Sequence, residues 1–124
     1  MNTVAENVVR NYVDWLQQHT EIETMEDGWE RVTLPFTDRH GDFLQCYVTQ
    51  REDGSYVITD DGYVLSDPIL RARIAQKPKE WQDVLASYDV QWVDGERLER
   101  IVPAGAPAIG LNSFVQVMLA INGL

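Results

Sequence analysis

The chain has 124 residues, 44% hydrophobic and 24% charged, which suits one domain around one buried core rather than a disordered segment. Twenty acids against ten bases leave a net charge of −10, the wrong sign for a protein that neutralises nucleic-acid or lipid phosphates. No apolar run nears the ~20 residues that span a bilayer, no secretory leader pattern is present, and the lone Cys46 excludes an intrachain disulfide or a multi-thiolate zinc site. A cytoplasmic domain without a cofactor is the expectation.

Thr3 followed by Glu6 has the capping-box spacing, and Val4, Val8, Tyr12, Trp15 and Leu16 then recur at three- and four-residue steps. The spacing predicts a helix over 4–18 with one apolar stripe for the core. Residues 20–30 are acidic and read as a surface connection, with Ile22, Met25 and Trp29 tucked inward. Val32, Leu34 and Phe36 then alternate with polar residues, and Pro35 suggests an edge strand because it cannot donate to a ladder. The turn 38–42 leads into a second strand over 43–49, with Leu44, Cys46 and Val48 on one face and Phe43, Gln45 and Tyr47 on the other. Asp53-Gly54 is a hairpin signal before a third strand over 55–59, and Asp60-Asp61-Gly62 repeats that chemistry before Tyr63-Val64-Leu65. Three or four strands on short turns make an antiparallel meander.

Ser66 reads as a cap with Pro68 in the first turn, for a short helix ending near Gln76. Pro78 opens another, in which Trp81, Val84, Leu85 and Tyr88 share a face. Residues 90–102 read as a small hairpin around Asp94-Gly95, with a helical alternative over 97–100. A last helix from Asn112 or Ser113 is apolar nearly all round. It is either a central core element or the face of a homodimer. The expected fold is α+β over residues 1–124 as one domain: a three- to four-stranded antiparallel meander, with an N-terminal helix and C-terminal helices packed on one face.

Thr33-Leu34-Pro35-Phe36-Thr37-Asp38-Arg39, then Gly41-Asp42 opening a strand, then Tyr56-Val57-Ile58-Thr59-Asp60-Asp61-Gly62-Tyr63-Val64-Leu65 form a distinctive combination. It resembles the bacterial and phage proteins of the domain-of-unknown-function family eighteen-twenty-eight, over about residues 12–95. The resemblance implies no activity. It implies an association with prophages and mobile elements, and so a role in host–phage conflict.

Three constellations carry possible chemistry. Asp42, Asp60 and Asp61 all sit at strand ends, where carboxylates on neighbouring strands can hold Mg²⁺ for phosphoryl chemistry. The companion Glu-x-Lys is missing, since the next strand reads Gln45-Cys46-Tyr47-Val48. Aspartates before glycine also serve turns by bonding the backbone. His40, Cys46 and Asp42 make a nucleophilic arrangement only on paper, because a thiol on an apolar strand face is a poor nucleophile. No Gly-x-Ser-x-Gly, phosphate loop, dinucleotide fingerprint or HExxH is present.

The third constellation is acidic and aromatic. Residues 1–30 carry seven acids against Arg10, and 38–67 carry seven against Arg39 and Arg51, whereas 71–100 are balanced at six each. The excess therefore lies in the first half, where it would steer a basic partner. Glu21, Glu23, Glu26, Asp27, Trp29 and Trp92 are the interaction candidates, the tryptophans because a half-exposed indole supplies area at little entropic cost. Trp15 and Trp81, on helical stripes, read as core. A non-enzymatic domain that binds a basic, nucleic-acid-handling protein is the leading expectation. A metal-dependent nuclease or hydrolase using Asp42, Asp60 and Asp61 is the alternative.

Overall fold

Six antiparallel strands form one sheet in a computed structural model that describes residues 2–123. The order is β1 (Glu21–Thr24), β2 (Glu30–Thr37), β3 (Phe43–Gln50), β4 (Tyr56–Thr59), β6 (Arg97–Val102) and β5 (Gln91–Val93). The expected meander is β2-β3-β4. It gains an edge on each side, so the three or four strands foreseen become six. β1 lies in the acidic stretch read as a loop, and the β5-β6 hairpin joins the sheet through β4.

Pro35 shows how β2 changes role along its length. β1 pairs with β2 only over Glu30 to Thr33, and the β2-β3 register shifts between Thr33 and Thr37. Pro35 thus falls where no donor is needed, beyond the reach of β1 and inside the shift. β2 is internal at its start and an edge at its end.

Helices α2 (Tyr63–Ser66), α3 (Pro68–Gln76), α4 (Pro78–Ser87) and α5 (Pro107–Asn122) cover one face of the sheet. Their Val64, Leu70, Trp81, Leu85, Phe114, Val117 and Ile121 pack with Leu44, Cys46, Ile58, Leu98 and Val102 from the strands. Tyr63-Val64-Leu65 is helical rather than a fourth strand. The cap of α3 is Asp67, not Ser66, and its carboxylate accepts the Ile69 and Leu70 amides. α5 begins at Pro107, ahead of the expected Asn112, and takes the core alternative, with Phe114, Val115, Val117, Met118 and Ile121 all buried. Residues 97–100 are strand, not helix.

The N-terminal helix α1 (Val4–Gln18) has the expected bounds and cap, with Thr3 Oγ1 accepting the Glu6 amide at 3.0 Å. Its expected packing is absent. None of its residues is buried, and Val4 is 82% exposed. Trp15 is exposed as well, while Trp81 is core as anticipated. Ile22 and Met25 also face solvent instead of tucking inward, and only Trp29 is half-buried. No helix among the described residues is long and apolar enough to cross a membrane.

Candidate functional site: the open face of the sheet

Because α2–α5 occupy one face, the other face is left to the outward side chains of the strands, of which Val57 and Thr59 are buried. Strand register places Glu23, Arg31, Tyr47, Thr59, Glu99 and Gln91 in one row across all six strands. Alternation explains the membership: Tyr47 points away from the core because its neighbours Cys46 and Val48 point into it. Arg31 ion-pairs with Glu23 across the β1-β2 ladder. That bond, together with Tyr47, holds the guanidinium more firmly protonated than usual.

The chain between β1 and β2 folds over this row. A 3-10 turn, Glu26–Gly28, is closed by the Met25 amide donating to Trp29 O at 2.8 Å and by Thr49 Oγ1 donating to Gly28 O at 2.9 Å. Those bonds set Met25 and Trp29 beside Tyr47 and Val57 in a hollow of about 940 Å³. Glu23, Glu26, Asp61 and Glu99 bring four carboxylates to it, against the guanidinium groups of Arg51 and Arg97. Arg97 is already engaged, 3.5 Å from Glu99 and 3.9 Å from Asp94.

The structure thus unites Glu23, Glu26 and Trp29 from the six interaction candidates. Asp27 belongs to the same 3-10 turn, and Glu21 lines a separate hollow on β1. Trp92 lies elsewhere, because it pairs with Leu98 and packs against the core cluster. Tyr47, Arg97 and Glu99 are site residues that sequence reasoning missed. The alternation noted for the second strand could have marked Tyr47.

Asp42, Asp60 and Asp61 line one smaller hollow of about 610 Å³. Asp60 is committed elsewhere. Its Oδ1 accepts the Gly62 and Leu98 amides at 3.0 and 2.9 Å, and its Oδ2 accepts Val64 at 3.0 Å. Burial pushes its carboxyl above the usual range, against the pull of those three amides. Asp61 has φ of 54° and Gly62 of 83°, so this turn needs the left-handed region twice. Among the described residues, no three His, Cys, Asp or Glu side chains group as a metal site.

The turn 38–42 is a hydrogen-bonded knot. Asp38 accepts the His40 and Asp42 amides at 2.8 and 3.0 Å and the Tyr63 hydroxyl. Burial pushes the Asp38 carboxyl up, but those donors outweigh it and the net direction is down. The Asp38 carboxylate, and then burial, push the Tyr63 phenol up to about 12. His40 Nε2 lies 2.7 Å from Asp67, so its partner is the cap of α3 and not Asp42. Cys46 is buried, and burial pushes its thiol up to about 12, so the paper arrangement of His40, Cys46 and Asp42 is not formed.

No match was found among curated proteins or among solved structures. The Asp38-Arg39 and Gly41-Asp42 knot and the Thr59-Asp60-Asp61-Gly62 turn lie within residues 34–121, over which a family model matches, and the chain belongs to the family described as domain of unknown function DUF1828.

Proposed function

We propose that this domain is a non-enzymatic interaction module whose open sheet face takes a basic segment of a partner protein. The supporting observation is the convergence of Glu23, Glu26, Asp61 and Glu99 with Trp29 and Tyr47 around one hollow. Carboxylates attract a lysine or arginine, and an indole or phenol face adds cation–π attraction of roughly 0.5–2 kcal/mol. The net charge of −10 steers such a segment inward. A nucleic-acid-handling protein in a host–phage setting is the narrower form of this proposal.

Calorimetric titration with arginine-rich and glutamate-rich peptides, at low and high salt, tests it. Binding of the basic peptide alone, weakened by salt and by Trp29→Ala or Glu26→Lys, is the expected result. Salt-insensitive binding, or none, removes the proposal. The second reading, metal-dependent hydrolysis, draws on the hollow shared by Asp42, Asp60 and Asp61. The amides filling Asp60 leave it the weaker one. Titration with Mg²⁺ and Mn²⁺ beside an Asp60→Asn variant decides it: no heat and no cleavage removes it.

A further inference from the structure

β1 is an edge of the sheet, paired with β2 on one side only. The Met25 amide donates to Trp29 O, so those two residues form a hydrogen-bonded pair. Alternation along an antiparallel ladder makes Glu23–Arg31 and Glu21–Thr33 such pairs as well. The N–H and C=O groups of Ile22 and Thr24 therefore point outward, and no hydrogen bond among the described residues takes them up. Two donors and two acceptors in line are what an added strand pairs with. All four residues of β1 are exposed.

Side chains decide which strand can add. Glu21 and Glu23 stand on the open face, and Ile22, 66% exposed, stands on the other. In an antiparallel addition, the form of every other pairing in this sheet, Ile22 and Thr24 take the hydrogen-bonded pairs. Glu21 and Glu23 then fall in the non-hydrogen-bonded pairs, where opposite β-carbons come within about 4.5–5.5 Å. A basic residue opposite each glutamate is attracted there, and an apolar residue between them covers Ile22. A second copy of β1 does the reverse, because it sets glutamate opposite glutamate.

Glu23 meets Arg31 through Oε2, which leaves Oε1 for a second cation. The opposite edge of the sheet, β5, holds no charged residue, so charge picks β1. Glu23 also borders both the 940 Å³ hollow and one of about 490 Å³ lined by Glu21 and Ile22, which makes the edge continuous with the open-face site.

Resting on the open-face reading, we propose that the basic segment adds to β1 as a seventh strand, with basic residues opposite Glu21 and Glu23 and an apolar one opposite Ile22. An eight-residue Lys-Val repeat, titrated by calorimetry beside a Glu-Val repeat, is the probe. The Lys-Val repeat should bind and the Glu-Val repeat should not. Amide exchange followed by NMR should slow at Ile22 and Thr24 in the complex and stay unchanged at Glu23, whose amide is already in the β1-β2 ladder. With lysines opposite the glutamates, the valine amides face β1. N-methylating two of them should weaken binding about tenfold or more, and N-methylating two lysine amides should not. Glu21→Lys, at an exposed residue outside the 940 Å³ hollow, should weaken it roughly tenfold. A bound Lys-Val repeat that leaves Ile22 and Thr24 exchanging as before, equal loss from either N-methylation, or equal binding of the Glu-Val repeat overturns the proposal. The first of these leaves the open-face reading standing, whereas a domain that binds no basic peptide loses both.

Discussion

The Leu98 amide on β6 donates to Asp60 Oδ1 at 2.9 Å, joining residues 38 apart in sequence. The same carboxylate ends β4 and starts α2, because it also takes the Gly62 and Val64 amides. One buried side chain thus ties the meander to the late hairpin and to the first covering helix. Asp60→Ala leaves two buried donors, the Val64 and Leu98 amides, and the half-buried Gly62 amide without partners, at about 1–3 kcal/mol for each buried one before relaxation. A loss of at least ~2 kcal/mol is expected, with Asp60→Asn losing less because its carbonyl still accepts. Urea unfolding monitored by tryptophan fluorescence measures both.

Gly110 sits in α5 directly over Val102. A methyl group there would overlap both Val102 γ-carbons and lie 2.9 Å from its β-carbon. Helix propensity alone favours alanine over glycine by about 1 kcal/mol. Overpacking costs about 1–3 kcal/mol, so the clash wins and Gly110→Ala should destabilise. Adding Val102→Ala should recover part of the loss. If Gly110→Ala alone raises the melting temperature, the contact is not as close as described.

Asp67 accepts from His40 and from the first amides of α3, and the His40 bond is the main cause holding its carboxyl below the usual range. Asp38 is also held low. Both contributions are complete above an unfolded pKa of about 3.9 and are lost as pH falls through the lower folded values. Tyr63 has the opposite sign. With its phenol at about 12, its contribution is complete below the usual tyrosine pKa of about 10 and is lost as pH rises through the folded value. Urea midpoints should therefore drop at the alkaline end, and at the acid end by the Asp38 and Asp67 contributions less the opposing one of Asp60, whose carboxyl is held high by burial. Tyr63→Phe should cost about 1 kcal/mol near neutrality, reduced by solvent at the exposed ring, and should flatten both slopes. Unchanged slopes would show that the Asp38–Tyr63 bond carries no linkage.

Local signals and long-range pairing divide what could be read in advance. The bounds of α1 followed from Thr3 and the apolar period, yet amphipathicity says that a face is to be covered and not by what. The exposed Val4 and Val8 show the difference. β1 escaped notice because Glu-Ile-Glu-Thr has one apolar residue, and Ile22 is 66% exposed, so no burial pattern marks it as a strand. Tyr63-Val64-Leu65 is too short to show either period, and its helical form follows from the Asp60 turn before it. Glu23, Glu26 and Trp29 stood out by composition. Their convergence with Tyr47 and Glu99 depends on four strand registers, information held in tertiary pairing. Trp92 parted from them for the same reason, since pairing with Leu98 turns it toward the helices.

Cys46 pairs with Val32 across the β2-β3 ladder and is 2% exposed in the core. Burial pushes its thiol up to about 12, so at pH 8 the thiolate is about one part in ten thousand. In the unfolded chain, with a pKa of about 8.5, about a quarter is thiolate. Alkylation by iodoacetamide should therefore be very slow in native buffer and rise steeply with urea, tracking global opening. Cys46→Ala should keep the fold at a cost of about 0.5–1.5 kcal/mol, as the loss of one heavy atom from a core does. Cys46→Ser should cost more, because nothing buried there is arranged to receive a hydroxyl. Rapid labelling in native buffer would mean that the β2-β3 face opens locally, and the apolar account of Cys46 would then fail.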